Sequence, residues 1–438
     1  MPRCAVQLRF GAALFAAILG WPGRAPAFTF SAPVAVDDSR PAAEPGIAVD
    51  SAGIIYINAP QGLESLGPSR VWRSTDGGSN FTHVGPPNVS PSPNITIGGG
   101  DSDLAIGAGD ALYFVDLWLV DASTAVSTNG GATWTGVPFG TVPIQDRPWV
   151  SADPTTPGLV YSVTDQVLTG LWISKALPGG LLAGAIYPIS VPEILTIDRG
   201  IVGSAPPGNL VTNKKGDTYN VYAIFTGTTP GQWGIGLSEL PAGGLLTTNG
   251  AVPPADGAFD QTVSFPVVAV DNGTNDNLYV VWTDPVSATT WNIRFASFDG
   301  TTWSNAVTLG QGLFPWITAQ GPGKVDVAWY SAKLSASNYA GDPSAAPADT
   351  IWDVAFAQST NALSATPTFT PAEVAASGIK TGKICTEGFT CSGDRELADF
   401  LSIAHDGSGH ALIAYTFVPE ANQARVRLVK QIAGATIN

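Results

Sequence analysis

An all-β fold, one four-stranded unit repeated around an axis, is what this sequence predicts, and three observations carry it. The stretch Phe265 to Trp303, FPVVAVDNGTNDNLYVVWTDPVSATTWNIRFASFDGTTW, reads as three strands and the start of a fourth, with turn chemistry at NGTND and at Asp299-Gly300. Its FPVVAVD…LYVVWTD pattern recurs along the chain, seven copies in all. Fifty Gly and thirty-five Pro punctuate the chain, and apolar residues recur at period two or in short blocks, so no long helix is expected.

The first residues read as a processing signal. Arg3 and Arg9 give a positive start, Phe10 to Leu19 is an apolar run too short to span a bilayer, and Ala25-Pro-Ala27 is a small-x-small cleavage site. The expected division is a signal peptide over residues 1–27 and a single domain over 28–438, secreted or periplasmic and without a membrane span. Loss of Arg3, Arg9 and Arg24 takes the formal charge from −15 to −18. An acidic, lysine-poor surface excludes nucleic acid and anionic membrane as partners and leaves glycan or extracellular protein. Cys4 leaves with the signal, and Cys385 and Cys391, with five residues between them, are expected to form one small disulfide loop.

The copies begin at Glu44 (EPGIAVD), Ser102 (SDLAIGA), Arg147 (RPWVSAD), Gly208 (GNLVTNK), Phe265 (FPVVAVD), Phe314 (FPWITAQ) and Ala398 (ADFLSIA). Each is followed by a second apolar strand, and two further strand-like runs separate most copies. Seven such units, or six if a weak one is miscounted, make a β-propeller, in which each sheet buries its faces against its neighbours. After the seventh copy only one strand remains, ARVRLVKQI. The early segment FTFSAPVAVD is therefore expected to complete the last blade, which leaves no free sheet edge.

Two turns share a signature, S-x-D/N-x-G-x-x-aromatic: Ser74, Asp76, Gly78, Phe81 in one and Ser127, Asn129, Gly131, Trp134 in the other. A shortened version is Ser297, Asp299, Gly300, Trp303. The carboxylate or amide accepts backbone N–H groups, Gly takes positive φ, and the ring wedges beneath the blade. These turns resemble the Asp-box, or BNR, repeat of the sialidase superfamily, and the wider repeat extends that resemblance loosely over nearly all of residues 28–438. In that family the boxes are structural and lie on the face away from the active site.

Chemistry in such a fold belongs around the central channel, on the loops that lead into the innermost strands. There the sequence places Asp101 and Asp103, Asp146-Arg147, Asp198-Arg199, and Asp394-Arg395-Glu396 with Asp399; second strands end at Asp116, Asp165 and Asp284. The sialidase resemblance implies an arginine triad for a substrate carboxylate, an aspartate acid/base and a tyrosine–glutamate nucleophile pair. That casts Arg147, Arg199 and Arg395 as the triad, Asp103, Glu396, Glu387 and Tyr330 in the remaining catalytic roles, and Asp146, Asp116, Asp165 and Asp284 as substrate contacts. The plainer alternative is that each arginine pairs with the aspartate before it and ties a loop. The family's R-I-P motif is also absent; the nearest sequence is Arg147-Pro148-Trp149. Two function classes follow, a glycosidase acting on acidic, sialic-acid-type glycans and a non-catalytic propeller that binds glycan or protein.

Other chemistries lack their motifs. His83, His405 and His410 show no metal-ligand spacing, and no GxSxG elbow, P-loop or dinucleotide fingerprint is present. No cofactor is expected, although the acidic loops leave room for a structural calcium. Trp149, Trp282, Trp316 and Trp329 could stack on sugar rings, but their places within strands favour core packing.

Overall fold

A computed structural model describes residues 27–61, 67–85, 98–118, 121–139, 145–166, 170–175, 186–188, 207–225, 233–242, 247–252, 265–273, 275–386, 391–420 and 423–438. The signal-peptide expectation thus lies outside the described residues up to position 26. The protein is a β-propeller. Among the described residues the strands form six antiparallel four-stranded sheets and a seventh sheet of five strands.

In chain order the blades run from Gly46–Val49 to Thr82–His83, from Gly98–Gly107 to Thr135–Phe139, and from Gln145–Ala152 to Ile186–Pro188. They continue from Pro207–Thr212 to Thr247–Val252, from Val267–Val270 to Val307–Gln311, and from Leu313–Ala319 to Glu373–Thr381. The seventh contains Ser402–His405, Ala411–Phe417 and Arg425–Ala433. As expected from the lone last strand, the early segment closes it: Thr29–Phe30 and Val34–Ala35 both pair antiparallel with Arg425–Ala433.

Second strands are apolar because both of their faces are covered. In Leu278–Ser287 every residue from Leu278 to Asp284 is buried. Tyrosine stands near the start of that strand in five blades, at the second position as Tyr56, Tyr161, Tyr219 and Tyr279 and at the third as Tyr113. Two of these hydroxyls reach the next blade: Tyr113 accepts the Gly158 N–H (3.1 Å) and Tyr279 the Gly323 N–H (2.7 Å). In the sixth blade Asp326 takes this place and meets His405 of the seventh at 3.1 Å.

The turns between third and fourth strands behave as their sequence predicts. Asp76 Oδ1 accepts the N–H groups of Ser79 (3.0 Å) and Asn80 (2.9 Å), and Ser74 Oγ accepts that of Gly78 (2.9 Å). Asn129 and Ser127 repeat the pattern with Thr133 and Gly131. A fourth turn of this kind escaped the sequence pattern. In the sixth blade Asn361 Oδ1 accepts the Thr368 N–H (3.0 Å) and the next residue, Phe369, packs on Phe295. The turn from Ser359 to Phe369 is three residues longer than that from Ser74 to Phe81, which hides the spacing.

The channel is filled where the blades meet. Trp149, Phe265, Trp316 and Phe400, from the third, fifth, sixth and seventh blades, pack with Trp149 centroids 5.2–5.6 Å from the other three rings. Trp149 Nε1 also donates to the Pro207 carbonyl of the fourth blade (2.9 Å). Trp282 and Trp329 are buried as well. All four tryptophans weighed as sugar platforms therefore serve packing.

Candidate functional site

Charged groups gather at the end of the channel where innermost strands begin. Four residues just ahead of those strands have left-handed backbone although none is glycine: Glu44 (φ 53°), Arg147 (47°), Phe314 (54°) and Ala398 (56°). Such conformations cost of the order of 1–3 kcal/mol each and persist where packing enforces them. In the third and sixth blades a bulge coincides, with the register shifting between Asp146 and Trp149 and between Leu313 and Trp316.

From there Arg147 crosses the channel to the seventh blade. Its Nη2 bonds Asp399 Oδ2, and Arg395 Nη2 donates to the same oxygen (2.7 Å). Two guanidinium groups thus converge on one buried carboxylate. Arg147 also lies over the Phe265 ring, 4.8 Å from its centroid, so the ion cluster rests on the aromatic plug. Glu44, from the first blade, accepts the Asp399 N–H (2.8 Å), and its own N–H donates to Thr416 Oγ1 (3.2 Å). Burial first, then the charges of Asp101 and Asp399, push the Glu44 carboxyl well above the carboxylate range, and the two arginines only partly oppose them. Arg147 Nη1 and Arg395 Nε and Nη1 are buried without hydrogen-bond partners.

The loop carrying Arg395 is fixed by the expected disulfide, Cys385 to Cys391. The Cys385 N–H donates to the Asp394 carbonyl (2.8 Å) and the Ala398 N–H to that of Arg395 (2.8 Å).

Beside this cluster, Asp146 lies within hydrogen-bond reach of Asp101. Asp146 is densely surrounded yet its surface opens to solvent, as befits a group in a funnel. Burial, followed by the Asp101 charge, raises its carboxyl to about 6. Asp146 Oδ1 accepts the Arg147 N–H (2.9 Å), so its sequence neighbour is held through the backbone while the guanidinium goes elsewhere.

The other sequence candidates have internal partners. Asp103 accepts the N–H groups of Leu104 and Val150 (2.9 Å each) and so joins the second and third blades; burial raises it to about 6. Asp116 is fully buried and accepts the Ser69 N–H (3.2 Å). Asp284 is fully buried, 3.8 Å from Arg294. Glu396 pairs with Lys380 Nζ (2.7 Å), away from Asp399. Tyr330 is fully buried, and its hydroxyl accepts the Thr416 N–H (3.1 Å); a phenol so enclosed positions Thr416 and cannot reach a glycan as a nucleophile. Arg199, Glu387 and the Asp165 side chain lie outside the described residues. Among those described, no group of three or more His, Cys, Asp or Glu is arranged to hold a metal ion.

Burial pushes Asp116 up to about 7, against an ordinary value near 4. Between those values the folded chain holds a proton that the unfolded chain has lost. The group's contribution to stability is thus full below about 4 and lost as pH rises through about 7. Asp116→Asn keeps an oxygen for Ser69 and removes the charge. It is expected to be more stable than wild type at pH 8, by on the order of 2 kcal/mol, and to gain little at pH 4. Denaturant midpoints at both values test this; an equal change at both would show that ionisation of Asp116 is not involved.

No protein-family model matches the chain, and no curated protein does. Solved structures do. A GH93 α-L-arabinofuranosidase of Fusarium graminearum, in complex with arabinobiose, is 10% identical with a TM-score of 0.50, covering 92% of this chain and 97% of that one. A protein of unknown function from Dyadobacter fermentans is 15% identical with a TM-score of 0.49, covering 93% and 100%. An α-L-arabinanase of Penicillium chrysogenum complexed with arabinobiose is 9% identical with a TM-score of 0.48, covering 92% and 98%. At these identities the likeness concerns architecture. The class is that of propeller folds, and the site has to supply the function.

Proposed function

We propose that the channel mouth is a glycosidase-type site for an acidic, sialic-acid-type glycan, taken up at mildly acidic pH. The observation that carries this is Asp146, open to solvent beside Asp101 and one residue from Arg147, with its carboxyl raised to about 6 by burial and the neighbouring charge. A carboxyl that is protonated near its working pH can donate to a departing glycosidic oxygen. The guanidinium groups of Arg147 and Arg395, each side chain about 11% exposed, place positive charge at the mouth that suits a sugar carboxylate. As pH falls through about 6, Asp146 becomes both a better acid and a weaker repeller of an anionic substrate. The Ser-x-Asp/Asn turns, with their Asp-box hydrogen bonding, support the sialidase-like reading of the fold.

A second reading, a non-catalytic glycan- or protein-binding propeller, is favoured by one observation: Asp399 already engages both arginines. Export belongs to either reading. Cleavage after Ala27 would turn the Phe28 N–H, now 3.0 Å from Glu373 Oε2, into an ammonium beside that carboxylate.

The test is release of methylumbelliferone from 4-methylumbelliferyl sialoside at pH 5 and pH 8, with the α-L-arabinofuranoside as neutral comparator. Sialoside turnover that is faster at pH 5 is expected. Turnover of the arabinofuranoside alone would keep the hydrolase and reject the acidic substrate. Binding of sialoside without turnover would establish the second reading, and neither binding nor turnover would remove the mouth as a glycan site.

A further inference from the structure

The propeller carries a second concave feature at its other end. Because first strands start at the mouth and the sheets are antiparallel, turns between third and fourth strands lie on the far face. There the turn of the fifth blade meets that of the sixth and leaves a cleft of about 240 Å³. Its walls include Asp299, Trp303, Ser304, Asn305, Leu363 and Ser364.

Sequence length explains why the cleft forms here. The fifth-blade turn, Ser297 to Trp303, is one residue shorter than the turns of the first two blades, whereas the sixth-blade turn is three residues longer. The short turn sets Trp303 back, and the long one raises Leu363 and Ser364 as a facing wall. Ser297 Oγ donates to the Ala362 carbonyl (2.7 Å) and ties the two turns together.

The chemistry of the walls is not that of a filled interface. One side of the Trp303 indole packs near Phe298 (centroids 5.2 Å apart), and the residue remains partly exposed. Its N–H has no protein partner among the described residues, whereas the matching Trp134 Nε1 donates to Val84 (3.3 Å). Ser364 Oγ is buried and lacks any hydrogen-bond partner. Asp299 Oδ1 accepts the Thr301 and Thr302 N–H groups (2.9 and 2.8 Å), which leaves Oδ2 with only a long contact to Thr302 Oγ1 (3.4 Å).

We infer that this cleft is a second saccharide site, which takes one neutral sugar ring. The ring's C–H face lies on Trp303, and its hydroxyls meet Asp299 Oδ2 and the indole N–H. An apolar indole face bordered by a few hydroxyl-seeking groups is complementary to a pyranose or furanose ring. The volume is below the roughly 300 Å³ at which drug-sized pockets begin, so it suits a single ring rather than a chain. Asp299 repels a carboxylate, which separates this site from the acidic glycan proposed at the mouth; the inference does not rest on that proposal.

Saturation-transfer NMR with methyl β-D-galactopyranoside, methyl β-D-glucopyranoside and methyl α-L-arabinofuranoside tests it, with D-glucuronate as the charged control. The variants are Trp303→Phe, Ser364→Leu and Asp146→Asn. Phe81 and Phe369 already occupy the Trp303 position in other blades, so the phenylalanine keeps the turn folded. Ser364→Leu fills the cleft from its long-turn wall, where Ser364 is partly exposed. At least one neutral glycoside is expected to bind wild type and Asp146→Asn alike, and to weaken by at least about tenfold in the other two variants. No transfer from any neutral glycoside would overturn the inference. So would transfer lost only in Asp146→Asn, which places the sugar in the mouth, and so would a preference for glucuronate.

Discussion

Asp399→Ala is expected to lose about 3–5 kcal/mol of stability, the range for breaking a buried ion pair by removing one partner. The carboxylate is almost completely buried and is shared by Arg147 and Arg395, so its removal strands two guanidinium groups in one step. Glu44 limits the damage. Its proton is held by burial and by repulsion from Asp101 and Asp399, so losing Asp399 leaves two cations beside it and draws it towards ionisation. Glu44→Gln alone should therefore change little, because a neutral carboxyl is replaced by a neutral amide. Asp399→Ala combined with Glu44→Gln should be worse than the sum of the two. A denaturant double-mutant cycle measures that coupling. A loss below about 1 kcal/mol for Asp399→Ala would mean that water already solvates the arginines and that the cluster does not hold the first, third and seventh blades together.

How much of this was legible in the sequence depended on whether a feature is local. The blades and their closure were readable because period-two alternation and turn residues act within a few positions. The turns at Asp76 and Asn129 were readable for the same reason, whereas the turn at Asn361 was hidden by three extra residues. Arg147 and Arg395 could be placed at the mouth because both lie on loops into innermost strands. Their shared partner could not be read. Each has an aspartate immediately before it, and adjacency in sequence suggests adjacency in space. In the structure Arg147 has φ 47°, and its side chain crosses to Asp399, 252 positions away.

Glu44 was missed for a related reason, since only the aligned repeat shows it in the place of Arg147. The parallel Glu44-Pro45, Arg147-Pro148 and Phe314-Pro315 was the available signal. Asp103, Asp116 and Asp284 illustrate a further limit. Each is a polar residue near a strand end, and the pattern cannot tell a funnel wall from the space between two blades. Only closure of the ring decides that. For Asp116 and Asp284 it decided for burial.

Asp146→Asn is expected to lower kcat on an activated sialoside at pH 5 by about 10²–10⁴-fold, the range for losing a general acid. The substitution is conservative for the fold, because the amide oxygen can still accept the Arg147 N–H that Asp146 Oδ1 accepts at 2.9 Å. Its pH profile separates a proton donor from a structural residue. In wild type, activity should rise as pH falls through about 6, the value to which Asp146 is raised. In the asparagine variant that limb should disappear. Asp101→Asn supplies the opposing control. It removes the neighbouring charge that helps to hold the proton on Asp146, so the limb should move to lower pH while turnover at pH 5 largely survives. Arg147→Ala, by contrast, should act mainly through KM for an acidic substrate and leave the limb near 6. Wild-type kcat and an unchanged limb in Asp146→Asn would remove Asp146 from the chemistry. The acid would then lie elsewhere on the rim, or the mouth would bind glycan without cleaving it.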